Sequence, residues 1–119
     1  MQDFNDKTAV ITGGASGIGL AMAHRLGQEG ANVVIGDVEA QALDRAADQL
    51  TNAGIDVEPV LTDVTDRTQI VALADAAQER FGDIHFLHNN AGVTTAGLAE
   101  EQSDAQWDWV LEANLLAVI

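Results

Sequence analysis

The sequence predicts a doubly wound α/β fold: a parallel sheet with helices on both faces and strand order 3-2-1-4. Three observations carry that prediction. Short β-branched runs alternate with segments of helical periodicity, and the joins between them are brief. Glycines crowd in directly behind the first run, in VITGGASGIG from Val10 to Gly19. The only proline, Pro59, falls in the third run, where it cannot donate to a central ladder and so places that strand at an edge.

The elements follow in order. Ala9 to Thr12 is a brief apolar strand that runs into the glycines. Ile18, Met22 and Leu26 then recur every four residues with Ala21 beside them, and Gly30 supplies a C-terminal stop. Val33 to Gly36 is a second strand, ending at Asp37. Ala40, Leu43, Ala47 and Leu50 mark an amphipathic second helix that closes near Gly54. Val57 to Val64 reads as the third strand. Thr65 caps a third helix that turns Ile70, Leu73, Ala77 and Phe81 inward and stops at Gly82. Ile84 to His88 is the fourth strand, ending in NNAG at 89–92.

A last helix opens with a capping box, Ser103 and Gln106, ahead of Trp107, Val110, Leu111, Asn114, Leu115 and Val118. No stop signal precedes Ile119. The pattern is therefore the first half of a doubly wound sheet, truncated in the helix after strand 4, with residues 1–119 as a single incomplete domain.

Bulk properties narrow the function. The formal net charge is −14, with only five Lys and Arg, which excludes a phosphate-neutralising nucleic-acid surface. An anionic ligand must then be held by backbone N–H groups, as a glycine loop at a helix N terminus does. There are no cysteines, hence no disulfide framework or thiolate metal site. The opening MQDFNDK lacks a secretory signal's basic flank and apolar core, and no apolar run approaches a membrane span. The expectation is a cytoplasmic protein without membrane or nucleic-acid partners.

In a doubly wound sheet, ligands bind beyond the carboxyl ends of the strands, where the strand order switches. Here that is the junction of strands 1 and 4, so TGGASGIG and NNAG meet at the expected site. Gly13 allows the tight exit from strand 1, Gly17 and Gly19 allow a pyrophosphate to approach, and Ser16 adds a hydroxyl. The glycines at 13, 14, 17 and 19 do not fit G-x-G-x-x-G, and no Lys follows them as in a Walker A loop. An ordinary glycine-rich turn is the alternative. Asp37 stands roughly 20 residues beyond the loop, where a carboxylate accepts from an adenosine ribose diol and repels a 2′-phosphate. That favours NAD over NADP. Asp37 also suits a cap on helix 2.

Asp63 and Val64 close strand 3 beside that position. Asp63 either accepts from an adenine amino group, with Val64 covering the ring, or is a turn residue opening helix 3, and the sequence does not choose. Asn114 lies on the apolar stripe of the last helix, so its amide is either satisfied locally or retained for work at the site. His85 and His88 are three apart in a strand, point to opposite faces and cannot share a metal. Asp104, Asp108 and Glu112 read as a solvated helical flank, and His24 as exposed.

Taken together these residues resemble the short-chain dehydrogenase/reductase family. TGGASGIG has that family's T-G-x-x-x-G-x-G form, and NNAG is similar to its strand-stabilising motif. GD at 36–37 and DV at 63–64 resemble its cofactor-selecting and adenine-contacting pairs. The resemblance implies a Rossmann-type fold and hydride transfer between NAD and an alcohol or ketone. It implies a cofactor-binding set of Gly13, Ser16, Gly17, Ile18, Gly19, Asp37, Val38, Asp63, Val64, Asn90, Ala91 and Gly92. It also implies that Asn114 is the relay asparagine of the catalytic site and that the complete enzyme forms a dimer or tetramer, while the histidine and acid spacing leads to the expectation of no metal. The family's Y-x-x-x-K motif is missing, because the chain has no Tyr and its one lysine is Lys7. The 119-residue chain is therefore expected to be the cofactor-binding part of the enzyme and not to catalyse the reaction by itself.

Rival readings are a non-catalytic NAD-binding fragment, an interaction module and an S-adenosylmethionine methyltransferase. The last also places an acid after strand 2 but leaves NNAG unexplained. The glycine spacing disfavours an epimerase-type relative.

Overall fold

The computed structural model of the chain describes residues 4–90. Seven elements alternate: β1 (Thr8–Thr12), α1 (Gly17–Gln28), β2 (Asn32–Asp37), α2 (Ala40–Asn52), β3 (Val57–Leu61), α3 (Arg67–Phe81) and β4 (Phe86–Asn89). The strands form one sheet in the order β3-β2-β1-β4, and every neighbouring pair is parallel. This is the Rossmann-like arrangement the alternation predicts. Right-handed crossovers explain it, since successive strands moving one way lay their helices on one face and the return to β4 lays α3 on the other.

Two cores result. On the face of α1 and α2, Ile11, Val33, Ile35, Leu26, Leu43 and Leu50 pack together. On the face of α3, Val10 and Val34 meet Leu73 and Ala77. β1 and the middle of β2 are buried on both sides, which is why they read as continuous apolar runs rather than alternating ones. Leu50, with no exposed surface, contributes about 1.5–3 kcal/mol of transfer free energy.

Helix stops follow from glycine. Gly30 and Gly54 take φ of 99° and 81°, and the residues after them bond back into the last turn. Ala31 N–H donates to the Leu26 carbonyl and Ile55 N–H to the Leu50 carbonyl, each at 3.0 Å, the bonding of a Schellman end. Leu26 and Leu50 share the α1/α2 core with Ala31 and Ile55, so each stop is also an apolar contact.

Several boundaries and faces differ from expectation. β3 ends at Leu61 rather than Val64: Thr62 N–H makes a last bond to the Asp37 carbonyl of β2 at 2.8 Å, and the chain then turns as the Asp63 carboxylate accepts from Thr65. Asp66, not Thr65, caps α3, accepting from Thr68 N–H at 3.0 Å. The buried face of α1 is Gly19, Ala23 and Leu26, which leaves Ile18 and Ala21 outward. On α2 it is Ala46, with Ala47 half-buried, that faces the core. β4 runs from Phe86 to Asn89, and His24 is half-buried. Pro59 does sit on an edge strand, opposite Ile35 of β2. Among the described residues no helix is long and apolar enough to cross a membrane.

Candidate functional site

The carboxyl ends of the central strands converge at Thr12, which lies in register with Gly36 of β2 on one side and Asn89 of β4 on the other. The glycine loop leaves from this point. Gly13, at φ 67°, turns the chain sharply out of β1. Its N–H and that of Gly14 both donate to the Gly36 carbonyl, at 2.8 and 3.2 Å. Gly14 then lies flat on β2, where a Cβ would stand 2.7 Å from that of Ile35. Ala15 N–H reaches the Asp37 carboxylate, 3.1 Å from Oδ2.

Helix α1 begins with its donors uncovered. Ser16 is the N-cap residue in extended conformation, exposed, and its side chain makes no capping bond. The bond from Leu20 N–H to the Ser16 carbonyl, 3.2 Å, closes the first turn. An uncapped N terminus of a 12-residue helix presents oriented N–H groups and the positive end of the helix dipole. Gly19 faces the loop from within that turn. A Cβ there would overlap the Gly13 carbonyl and stand 2.6 Å from Asn90 Nδ2. Loop and helix thus approach as closely as backbone allows.

Asn90 completes the frame from the β4 side. Its Nδ2 donates to the Gly13 carbonyl at 3.2 Å, and its own N–H donates to Thr12 Oγ1 at 3.1 Å. The Thr12 hydroxyl in turn donates to the His88 carbonyl at 3.5 Å. These bonds join β1, β4 and the loop at one corner.

Asp37 closes the other side. Besides Ala15, it accepts at Oδ1 from Val38 N–H at 2.8 Å and Glu39 N–H at 3.3 Å. The suggested capping of helix 2 is not found: those amides precede α2, whose N-cap is Glu39 with no side-chain bond. Asp63 lies just past β3 as a turn residue. Its Oδ1 accepts from Thr65 Oγ1 at 2.7 Å and Thr65 N–H at 3.0 Å, and its N–H donates to Gln69 Oε1 at 2.8 Å. The hydroxyl bond from Thr65, then its amide bond, holds the Asp63 carboxyl below the usual aspartate range. Ile18, Val38 and Leu61 are apolar yet 73, 60 and 58% exposed along this rim, and Val64 is half-buried.

The structure therefore gathers Gly13, Ser16, Gly17, Ile18, Gly19, Asp37, Val38 and Asn90 around the carboxyl end of the sheet, with Asp63 and Val64 after β3. Ala91, Gly92 and Asn114 lie outside the described residues. Sequence reasoning gave no role to the Thr12 hydroxyl or Leu61, and it counted the main-chain amides of 12–19 together as diphosphate donors, whereas those of Gly13, Gly14 and Ala15 are taken by Gly36 and Asp37. The signal for Thr12 was available: a hydroxyl residue ends the strand immediately before the glycines. The histidines do not meet, since His85 Nδ1 accepts from Thr8 N–H at 3.1 Å while His88 lies further along β4. Among the described residues no group of three or more His, Cys, Asp or Glu fits a metal ion.

Uncapped helix amides, a glycine-rich loop and a carboxylate thus meet at the corner where doubly wound sheets bind ligands. The profile of the short chain dehydrogenase family matches residues 7–119, and the chain belongs to that family. It is 39% identical over its whole length to a C alpha-dehydrogenase of a Sphingobium species, of which it covers 39%. It is 38% identical over 94% of its length to the 3-oxoacyl-[acyl-carrier-protein] reductase of Thermotoga maritima, of which it covers 46%. A short chain dehydrogenase/reductase from Burkholderia phymatum, crystallised in complex with NAD, superposes with a TM-score of 0.95 at 46% identity. That match covers 99% of this chain and 42% of the other. The chain thus spans less than half the length of each of these relatives.

Proposed function

We propose that this chain is the NAD-binding part of a short-chain oxidoreductase that transfers hydride between the nicotinamide and a small alcohol or ketone. The carrying observation is the uncapped N terminus of α1 beside the Asp37 carboxylate, open at Gly17, where an added Cβ would meet nothing within 4 Å. An extended dinucleotide fits it: the amides of Gly17, Ile18 and Gly19, with Ser16, receive the diphosphate. Asp37 receives the adenosine ribose. Val38 and Val64 flank the adenine and Asp63 accepts from its amino group. Asn90, Ala91 and Gly92 border the nicotinamide half. The bound coenzyme supplies the hydride acceptor or donor.

The choice of NAD over NADP rests on charge. A 2′-phosphate would stand against the Asp37 carboxylate, and neither the loop nor residues 38–43 contain a Lys or Arg to offset it. Proton handling is assigned to the family's Tyr and Lys, with Asn114 ordering the relay. This sequence contains no Tyr and only Lys7, so the 119-residue chain is proposed to bind NAD without turnover. The dehydrogenase and reductase relatives support an alcohol or carbonyl substrate. The family resemblance supports a self-associating enzyme working in the cytoplasm.

Fluorescence titration with NADH and NADPH tests this reading. The expected result is saturable NADH binding, with NADPH at least about tenfold weaker and the gap narrowed in Asp37→Ala. Equal affinity for the two, or no saturable binding, overturns it. NADH formation from NAD and a secondary alcohol by a mass-verified 119-residue chain overturns the assignment of inactivity.

A further inference from the structure

The glycine loop is tied to β2 by three hydrogen bonds, and only one of them uses a side chain. Gly13 and Gly14 donate to the Gly36 carbonyl at 2.8 and 3.2 Å, and Ala15 donates to Asp37 Oδ2 at 3.1 Å. From this we infer that Asp37 is a positioning residue for the phosphate-binding loop as well as a partner for the ribose. The inference rests on the nucleotide reading above and deepens it.

The geometry makes the two duties inseparable. A carboxylate has about four acceptor positions. Oδ1 is engaged twice, by Val38 and Glu39, at 2.8 and 3.3 Å, and those two bonds fix the plane of the group. Oδ2 carries the Ala15 amide alone, so the remaining acceptor position lies on the same oxygen that holds the loop. A ribose hydroxyl arriving there meets an oxygen already committed to Ala15, the residue just before the Ser16 N-cap. Occupancy of the sugar position and the placement of the α1 amides are therefore linked through one atom. Loss of the carboxylate should loosen the diphosphate cradle even toward a ligand with no diol to offer.

A ligand–protein cycle on the full chain separates the roles. NADH and its analogue lacking both hydroxyls of the adenosine ribose are titrated into the wild type, Asp37→Ala and Asp37→Asn. Asp37→Ala should weaken the dideoxy analogue about five- to tenfold, the scale of one lost hydrogen bond in a part-buried position. Asp37→Asn keeps one acceptor oxygen but turns an NH2 donor against either Ala15 or the Val38 and Glu39 amides, so it should regain only part of that loss for the analogue and less for NADH. Wild-type affinity of Asp37→Ala for the analogue overturns the loop-positioning role and leaves the nucleotide reading standing. Absence of NADH binding by the wild type overturns that reading and this inference with it. Amide exchange supplies a ligand-free check: Ala15 should exchange faster in Asp37→Ala while the buried Val34 and Ile35 keep their protection, and unchanged Ala15 exchange overturns the proposal.

Discussion

Asn90 donates its side-chain amide to the Gly13 carbonyl at 3.2 Å, bridging the end of β4 to the first residue of the glycine loop across 77 positions of sequence. The bond fixes the direction of a carbonyl that also sets the closest approach of Gly19. Asn90→Ala removes the donor but leaves the carbonyl in a part-buried corner. It should cost about 1–2 kcal/mol, read by urea denaturation at constant m-value. A cost under about 0.3 kcal/mol would show that the bridge contributes nothing to holding the corner together.

Gly17 and Gly19 are required for different reasons, and alanine tells them apart. Gly17 has φ 55° with nothing within 4 Å of an added Cβ, so Gly17→Ala carries only backbone strain, about 1–2 kcal/mol. Gly17→Asn should be milder because Asn tolerates that region. Gly19→Ala puts a Cβ onto the Gly13 carbonyl and must displace the loop. It should cost about 1–3 kcal/mol and abolish NADH binding, whereas Gly17→Ala should retain weakened binding. Calorimetric titration of both variants checks the order.

Thr12 is held by its hydroxyl at the meeting point of β1 and β4. Thr12→Val keeps the shape but removes one of the two acceptors of Asn90 N–H, leaving it the His88 carbonyl at 3.0 Å, for an expected loss of about 0.5–1.5 kcal/mol. Thr12→Ser should retain most of the stability. Because both bonds belong to one corner, Thr12→Val combined with Asn90→Ala should cost less than the sum of the two.

Asp63 gives the site a pH dependence of known sign. Its folded-state pKa is lowered by Thr65, so the associated stability is fully present above the ordinary aspartate value and is lost as pH falls through the lowered one. Thr65→Val removes the hydroxyl donor and should raise the Asp63 pKa toward the ordinary range, seen by NMR titration of its carboxyl carbon. The loss of stability on acidification should then be smaller than in the wild type, because less separates the folded from the unfolded value.

Periodicity and punctuation made the fold legible: the buried runs of β1 and β2, the glycine stops and the edge proline all signalled themselves locally. Errors arose where a long-range contact overruled local pattern. Ile18 fits an apolar stripe yet faces outward, because close approach to Gly13 turns Gly19 inward instead. Thr65 looks like a cap, but its hydroxyl is taken by Asp63, which passes the cap to Asp66. In the site, glycines and Asp37 stood out by spacing. The Ala15 amide could not, since a backbone donor leaves no mark on the residue that carries it.

Pro59 has a consequence for how this sheet is built. On the outermost strand, its ring nitrogen offers no hydrogen to an incoming chain, so that flank resists augmentation by another polypeptide and by aggregating copies of itself. Among the described strands the two edges are therefore unequal, β3 lacking a donor at Pro59 and β4 keeping all of its own.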